Sequence, residues 1–315
     1  MAESNGAIVR KRSLSTNLRN NKSLLLMCLP AVLFFMIFAY IPMPGLIIAF
    51  QRFNYSKGIF GSPLVGFQNF RFLTLSGDLW HLTVNTVLYN FTFMVTTNVF
   101  QIVVALMLNE VASRSFRKTT QTLMLLPYFI SYVLVGLLAY NFLSYEYGIL
   151  NSVLRSLGVP SVQTYASTQA WPWILVAVNL WKSTGYGSII YFAALTSIDQ
   201  EIIEASIVDG ANGFQRIRSI LFPSLKPTFI ILFLFSLGGI MRGNFGLFYN
   251  LVGSSNSALF ATTDIIETFV FRSLVNNFNF SLGSAVSLYQ SVFGFLLIIT
   301  CNWLVKRIEP DYALF

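Results

Sequence analysis

Side chains able to do chemistry are few in this chain, and they do not converge. The single histidine, His81, has no acid or cysteine beside it, and Cys28 and Cys301 each sit inside an apolar run. Metal ligation, a disulfide framework and nucleophilic catalysis all need convergent partners, so none is expected. No G-x-x-x-x-G-K-[ST] phosphate loop occurs, so the chain has no such cradle of its own for ATP. The densest run of acids is Asp199-Gln-Glu201-Ile-Ile-Glu204-Ala205-Ser206-Ile-Val-Asp209-Gly210-Ala211, continuing through Phe214, Arg216, Arg218 and Ile220 to Pro223 and Pro227. On a 3.6-residue period Ile203, Ile207, Ala211 and Phe214 share one stripe while Glu201, Glu204 and Asn212 fall on other faces, the pattern of a short amphipathic helix. Gly210 within that pattern costs about 1 kcal/mol relative to alanine unless a bend requires it. Pro223 ends the second half or opens the next segment.

A second set of polar residues lies inside apolar runs: Asn85, Asn90, Asn98 and Gln101, then Asn141, then Asn179, Lys182 and Tyr186, then Arg242, Asn244 and Asn250. Polar groups are costly in hydrocarbon and turn towards a bundle interior or an aqueous path. Ordinary helix-to-helix hydrogen bonding, worth about 0.6 kcal/mol on average, accounts equally well for any one of these amides. Lys182, Arg242 and Asn244 are the leading candidates, because a charge within an apolar run demands a reason.

The elements that position these residues follow from composition. Of 315 residues 55% are hydrophobic, 16% aromatic and only 10% charged, against about 25% charged in an ordinary soluble domain. Six apolar runs are expected to cross a bilayer, at about 23–50, 84–109, 121–144, 171–197, 228–252 and 284–305. They make one transmembrane domain over 23–315, behind a basic segment 1–22 and with an inward loop over 199–227. The first run is too long for the core of a cleaved secretory signal and is expected to remain as an anchor. An even number of crossings puts both termini on one side. With that side cytoplasmic, thirteen of the twenty basic residues fall inside: Arg10, Lys11, Arg12, Arg19, Lys22, Arg114, Arg117, Lys118, Arg216, Arg218, Lys226, Lys306 and Arg307. The positive-inside rule favours that orientation, and it sets the net charge of +8 down to topology instead of nucleic-acid binding. Trp80, Trp171 and Trp173 near span ends are expected as interfacial anchors.

The acidic loop resembles the Glu-Ala-Ala loop of ATP-binding-cassette importer permeases, with Glu204, Ala205, Gly210, Ile220 and Pro223 at the family's spacing and with Asp209 and Ala211 of its sugar-importer form. Ser206 and Phe222 replace the usual alanine and leucine. The stretches Gly58–Phe70 and Thr263–Arg272 are similar to segments of permeases for oligosaccharides and polysaccharides, the lipoprotein-and-polysaccharide branch of the maltose-type family. The resemblance implies an all-α type I importer permease in a bacterial cell membrane that is not catalytic by itself. It implies pairing with a second permease, docking on two ATPase subunits that carry ATP and Mg2+, and delivery by an extracellular solute-binding protein. Glu204, Ala205, Ser206, Asp209, Gly210, Ala211, Phe214, Arg216, Ile220 and Pro223 would then form the coupling bracket, with Glu204 and Asp209 fixing it through hydrogen bonds or ion pairs. Asn85, Asn90, Asn141, Asn179, Lys182, Tyr186, Arg242 and Asn244 would be the candidates for sugar contact. A secondary sugar transporter, which would work without an ATPase, and an importer-like substrate sensor are the competing readings.

Overall fold

The computed structural model describes residues 21–253 and 255–308. Arg10, Lys11, Arg12 and Arg19 of the expected basic segment lie outside the described residues. The architecture is helical throughout, and the β contact among the described residues is an isolated bridge between Gln51 and Leu64.

Helix α1, Lys22–Phe35, runs through a wider turn at Met36–Tyr40 into a tighter helix at Met43–Phe50. Pro42 and Pro44 explain that change, since each lacks an amide proton and crowds the preceding turn. No residue of α1 is buried, so this helix gains nothing from packing within the chain. After the short outer helix α2, Gln68–Leu75, comes α3, Asp78–Glu110, whose 33 residues begin at Gly77 in the left-handed region. Next come α4, Arg114–Phe129, and α5, Tyr132–Leu143, then a small outer helix α6, Ile149–Ser156, and α7, Trp171–Thr196.

Three helical stretches, Lys22–Phe50, Asp78–Glu110 and Phe280–Arg307, have the length and apolarity to cross a membrane. Counting each bent pair as one crossing raises this to five. Helix α7 is long enough at 26 residues, about 39 Å, but Asn179, Lys182 and a run of small polar residues dilute its apolarity. The expected span 121–144 is not one rod: α4 and α5 meet at 91° around Ile130 and Ser131. Ser131 caps α5 by accepting from the amide of Leu134. The expected span 228–252 is broken as well. It consists of α10, Lys226–Leu237, and α11, Phe245–Val252, with a non-helical turn at 238–244 whose glycines at 238, 239 and 243 disfavour a continuous helix. A short α12, Ile266–Phe271, and the long α13, Phe280–Ile308, complete the chain.

Three apolar clusters hold the bundle. Tyr89, Phe93 and Val135 meet Trp171, Leu247, Phe248 and Leu251 towards the outer loops. Leu79, Leu82, Met241, Ile266 and Val286 join α3, the broken turn, α12 and α13. Ala105, Tyr191, Leu195, Leu221 and Leu225 pack the other end. Trp171 is 0% exposed and donates its indole N–H to the carbonyl of Thr164 at 2.9 Å. It is a core residue and not the interfacial anchor expected of it, while Trp80 and Trp173 are exposed.

Candidate functional site: a cavity and an exposed helical bracket

The cavity forms where the broken turn faces α3 and α7. It measures about 570 Å³, and Asn90, Thr97, Asn98 and Gln101 from α3, Asn179 and Tyr186 from α7, and Arg242 and Asn244 from the turn reach its wall, with Phe93 and Phe235 as apolar surface. Of the eight expected contact residues it brings together Asn90, Asn179, Tyr186, Arg242 and Asn244.

Each amide on this wall commits at least one N–H to the protein. Asn90 donates to the carbonyls of Ile240 and Arg242 at 2.9 and 3.1 Å, and Asn179 donates to the hydroxyl of Thr97 at 3.1 Å. Gln101 donates to the carbonyl of Ser183 at 3.0 Å. Asn98 donates to the carbonyl of Met94 and accepts from the Tyr191 hydroxyl, each at 2.7 Å. Asn244 donates to the Tyr132 hydroxyl at 2.6 Å and caps α11 by accepting from Leu247 N–H at 3.1 Å. These residues therefore build the wall as well as line it. Tyr186 stacks on Tyr128 with ring centroids 4.6 Å apart.

Three expected residues are elsewhere. Asn85 donates to the carbonyl of Asp264 at 3.0 Å under the outer loops, and Asn141 is on the exposed side of α5. Lys182 turns away from the cavity into the break between α4 and α5. Its ammonium donates to the carbonyls of Pro127 and Tyr128 at 3.0 and 3.1 Å and to that of Ile130, and lies 4.7 Å from the Tyr132 ring centroid. A break in a helix frees carbonyls, and Lys182 satisfies them. Its charge has a structural reason.

Sequence reasoning passed over the two side chains behind the turn. Glu267 accepts from Gly243 N–H and from the Gln290 side-chain amide, each at 2.6 Å, and Gln290 also donates to the carbonyl of Met241 at 2.6 Å. The same signal, polarity in an apolar setting, was present at Gln290.

The bracket follows α7. Helix α8, Gln200–Val208, is capped by Asp199, which accepts from Glu201 N–H at 3.1 Å. It ends at Gly210 with φ +78°, where Gly210 N–H donates to Ile207 at 3.0 Å and Ala211 N–H donates to Ser206 at 2.9 Å. This is the paired termination that calls for glycine. Asn212 and Gln215 then exchange side-chain to backbone bonds at 2.9 and 2.8 Å and start α9, Gly213–Arg216. The helix continues past Pro223 to a 51° bend into α10. The expected stripe does not hold together: Ile203 turns partly inward while Ile207 and Phe214 are 52% and 70% exposed. Ser206 is buried and donates to the carbonyl of Ile203, whereas Ala205 and Pro223 are exposed.

Glu204 and Asp209 are exposed, and among the described residues their side chains have no hydrogen bond or ion pair. They do not fix the bracket from within. Arg216 does connect it, through a 3.5 Å contact with Glu110 at the end of α3. Together with Arg117 and Ile220 it borders a cavity of about 360 Å³ beneath the bracket.

Helices long and apolar enough to cross a membrane, an amide-bearing cavity beside a broken helix and an exposed helical bracket fit a membrane-embedded transport subunit. Residues 97–313 match the family described as the inner membrane component of binding-protein-dependent transport systems, and the chain belongs to that family. It is a transport component and not an enzyme. It is 30% identical over 294 residues to protein LplB of Bacillus subtilis, covering 93% of this chain and 92% of that one. To the polygalacturonan/rhamnogalacturonan transport system permease protein YteP of Bacillus subtilis it is 30% identical over 305 residues, covering 96% and 93%. Its structure is similar to a chain of a bacterial ABC transporter involved in the import of the acidic polysaccharide alginate, with a TM-score of 0.84, 30% identity and coverage of 94% and 99%.

Proposed function

We propose that the protein is the permease subunit of an ATP-driven importer and that it forms, with a second permease, the path for an oligosaccharide or polysaccharide fragment. The observation that carries the reading is the cavity, whose amide-rich wall beside Phe93, Tyr186 and Phe235 suits a ligand with hydroxyls on one face and C–H patches on another. Relatives named for polysaccharide transport support it. The chain crosses the membrane six times in this reading, α4 with α5 and α10 with α11 each serving as one crossing, and both termini are cytoplasmic. ATP and Mg2+ bind the ATPase partners. Closure of those partners moves the bracket from Glu204 to Pro223 as a rigid body and rocks the two permeases between inward-open and outward-open states. An extracellular binding protein loads the outward-open state.

Reconstitution into liposomes tests this. The complete set of permeases, ATPase and binding protein should accumulate labelled oligosaccharide only with ATP inside, whereas ion-driven uptake by this chain alone would overturn the reading. An impermeant thiol reagent should modify a cysteine placed at Gly61 from outside and one placed at Gly210 only from inside.

A further inference from the structure

The broken turn of 238–244 is held by four different helices. From α3, Asn90 donates to the carbonyls of Ile240 and Arg242; from α13, Gln290 donates to that of Met241. Glu267 of α12 accepts from Gly243 N–H, and Tyr132 of α5 bonds the Asn244 amide. A Cβ on Gly243 would meet the side-chain ends of Ile265 and Glu267, which would have to shift. From this fixed turn Arg242 presents its side chain at the cavity wall, where it is the one charged residue. It is exposed, and among the described residues its guanidinium has no hydrogen bond and no ion pair. Glu267 stands behind the turn with one oxygen committed to Gly243 and Gln290 and the other buried without a partner.

Glu267 acts on this guanidinium electrostatically, but the guanidinium, with no hydrogen bond of its own, is free to take an anion at the cavity wall. Its planar fork matches a carboxylate in a bidentate pair, and a preformed fork loses little freedom on binding. The neighbouring amides each hold at least one N–H on the protein, and Arg242 is the wall's one cationic donor. On the basis of the oligosaccharide reading above, we infer that Arg242 receives a carboxylate of the cargo, so that the importer carries an acidic, uronate-containing oligosaccharide.

The test uses the complete importer in liposomes with a uronate oligosaccharide and its carboxyl-reduced, neutral counterpart of the same length, each saturating the binding protein. Wild type should favour the uronate form. Arg242→Gln should lower the ratio of uronate to neutral uptake about tenfold or more, the scale of losing one partner of a desolvated charge pair, and Arg242→Lys should recover part of the loss. Wild type that carries only the neutral form, or Arg242→Gln that carries the uronate form normally, overturns the inference while leaving the oligosaccharide reading intact. Equal loss of both forms assigns Arg242 to contact with the second permease and overturns it too. Recovery in the double variant Arg242→Gln with Glu267→Gln assigns Arg242 to balancing Glu267, again against the inference. Absence of uptake of any oligosaccharide overturns the proposed function itself.

Discussion

A lysine in the middle of a long apolar helix persists only where its ammonium is saturated, and Lys182 finds three backbone carbonyls at the break after Phe129. Lys182→Met fits the space but removes the donor to the carbonyls of Tyr128 and Ile130, at about 1–3 kcal/mol for each buried group left unmatched, while the Pro127 carbonyl keeps the N–H of Ile130. A clear fall in the thermal midpoint of the purified complex is expected, with uptake falling only as folded protein is lost. Asn244 acts at the other break. Asn244→Ala removes both a helix cap and the bond to Tyr132, a loss of about 1–2 kcal/mol for the cap alone, whereas Asn244→Asp keeps an oxygen in the capping position. The aspartate should therefore hold the thermal midpoint closer to wild type than the alanine, as scanning calorimetry can check. Polarity marked all these residues in the sequence. It could not say which way each side chain turns, because an amide facing a passage and one facing a neighbouring carbonyl have the same hydropathy.

Among the elements, the bracket was the most legible. Glycine at the end of α8 and the Asn212–Gln215 pair are local signals, decided by backbone conformation within a few residues. The single stripe failed, with Ile207 exposed ahead of Gly210 and Phe214 exposed beyond it. The 91° break between α4 and α5 was hidden for the opposite reason: the sequence is apolar on both sides of it, and what stabilises the bend comes from Lys182 more than fifty residues away. Close packing of α4 against α7 was equally silent. A Cβ on Gly185 would collide with the Met124 carbonyl, and a backbone cannot yield as the end of a side chain does. Gly185→Val is expected to separate these helices, with a cost above the usual 1–3 kcal/mol of overpacking. Size-exclusion chromatography should then show aggregated or missing complex.

For the whole molecule, the bracket and the cavity lie at different levels of one bundle, and they should be separable by mutation. Nothing within 4 Å would meet a Cβ on Gly210, but its φ of +78° is strained for any β-branched residue, by about 1–2 kcal/mol. Gly210→Val should leave the complex assembled in the membrane while binding-protein-stimulated ATP hydrolysis and uptake fall together. Normal uptake by that variant would remove the bracket from the coupling path. The helical class was readable from composition, since lipid imposes it, and transport from the acidic loop's resemblance to importer permeases; the breaks were not, because they are made by contacts between distant parts of the chain.

The pairing of Lys182 with the bend also bears on how the chain is made. Its acceptors precede it by 52 to 55 residues, so they leave the ribosome first. When α7 enters the bilayer, the carbonyls its ammonium needs are already made, and the bend can close around it. Biogenesis is therefore directional: a transplanted α7 alone should be retained poorly in the membrane, and supplying α4 and α5 ahead of it should restore insertion.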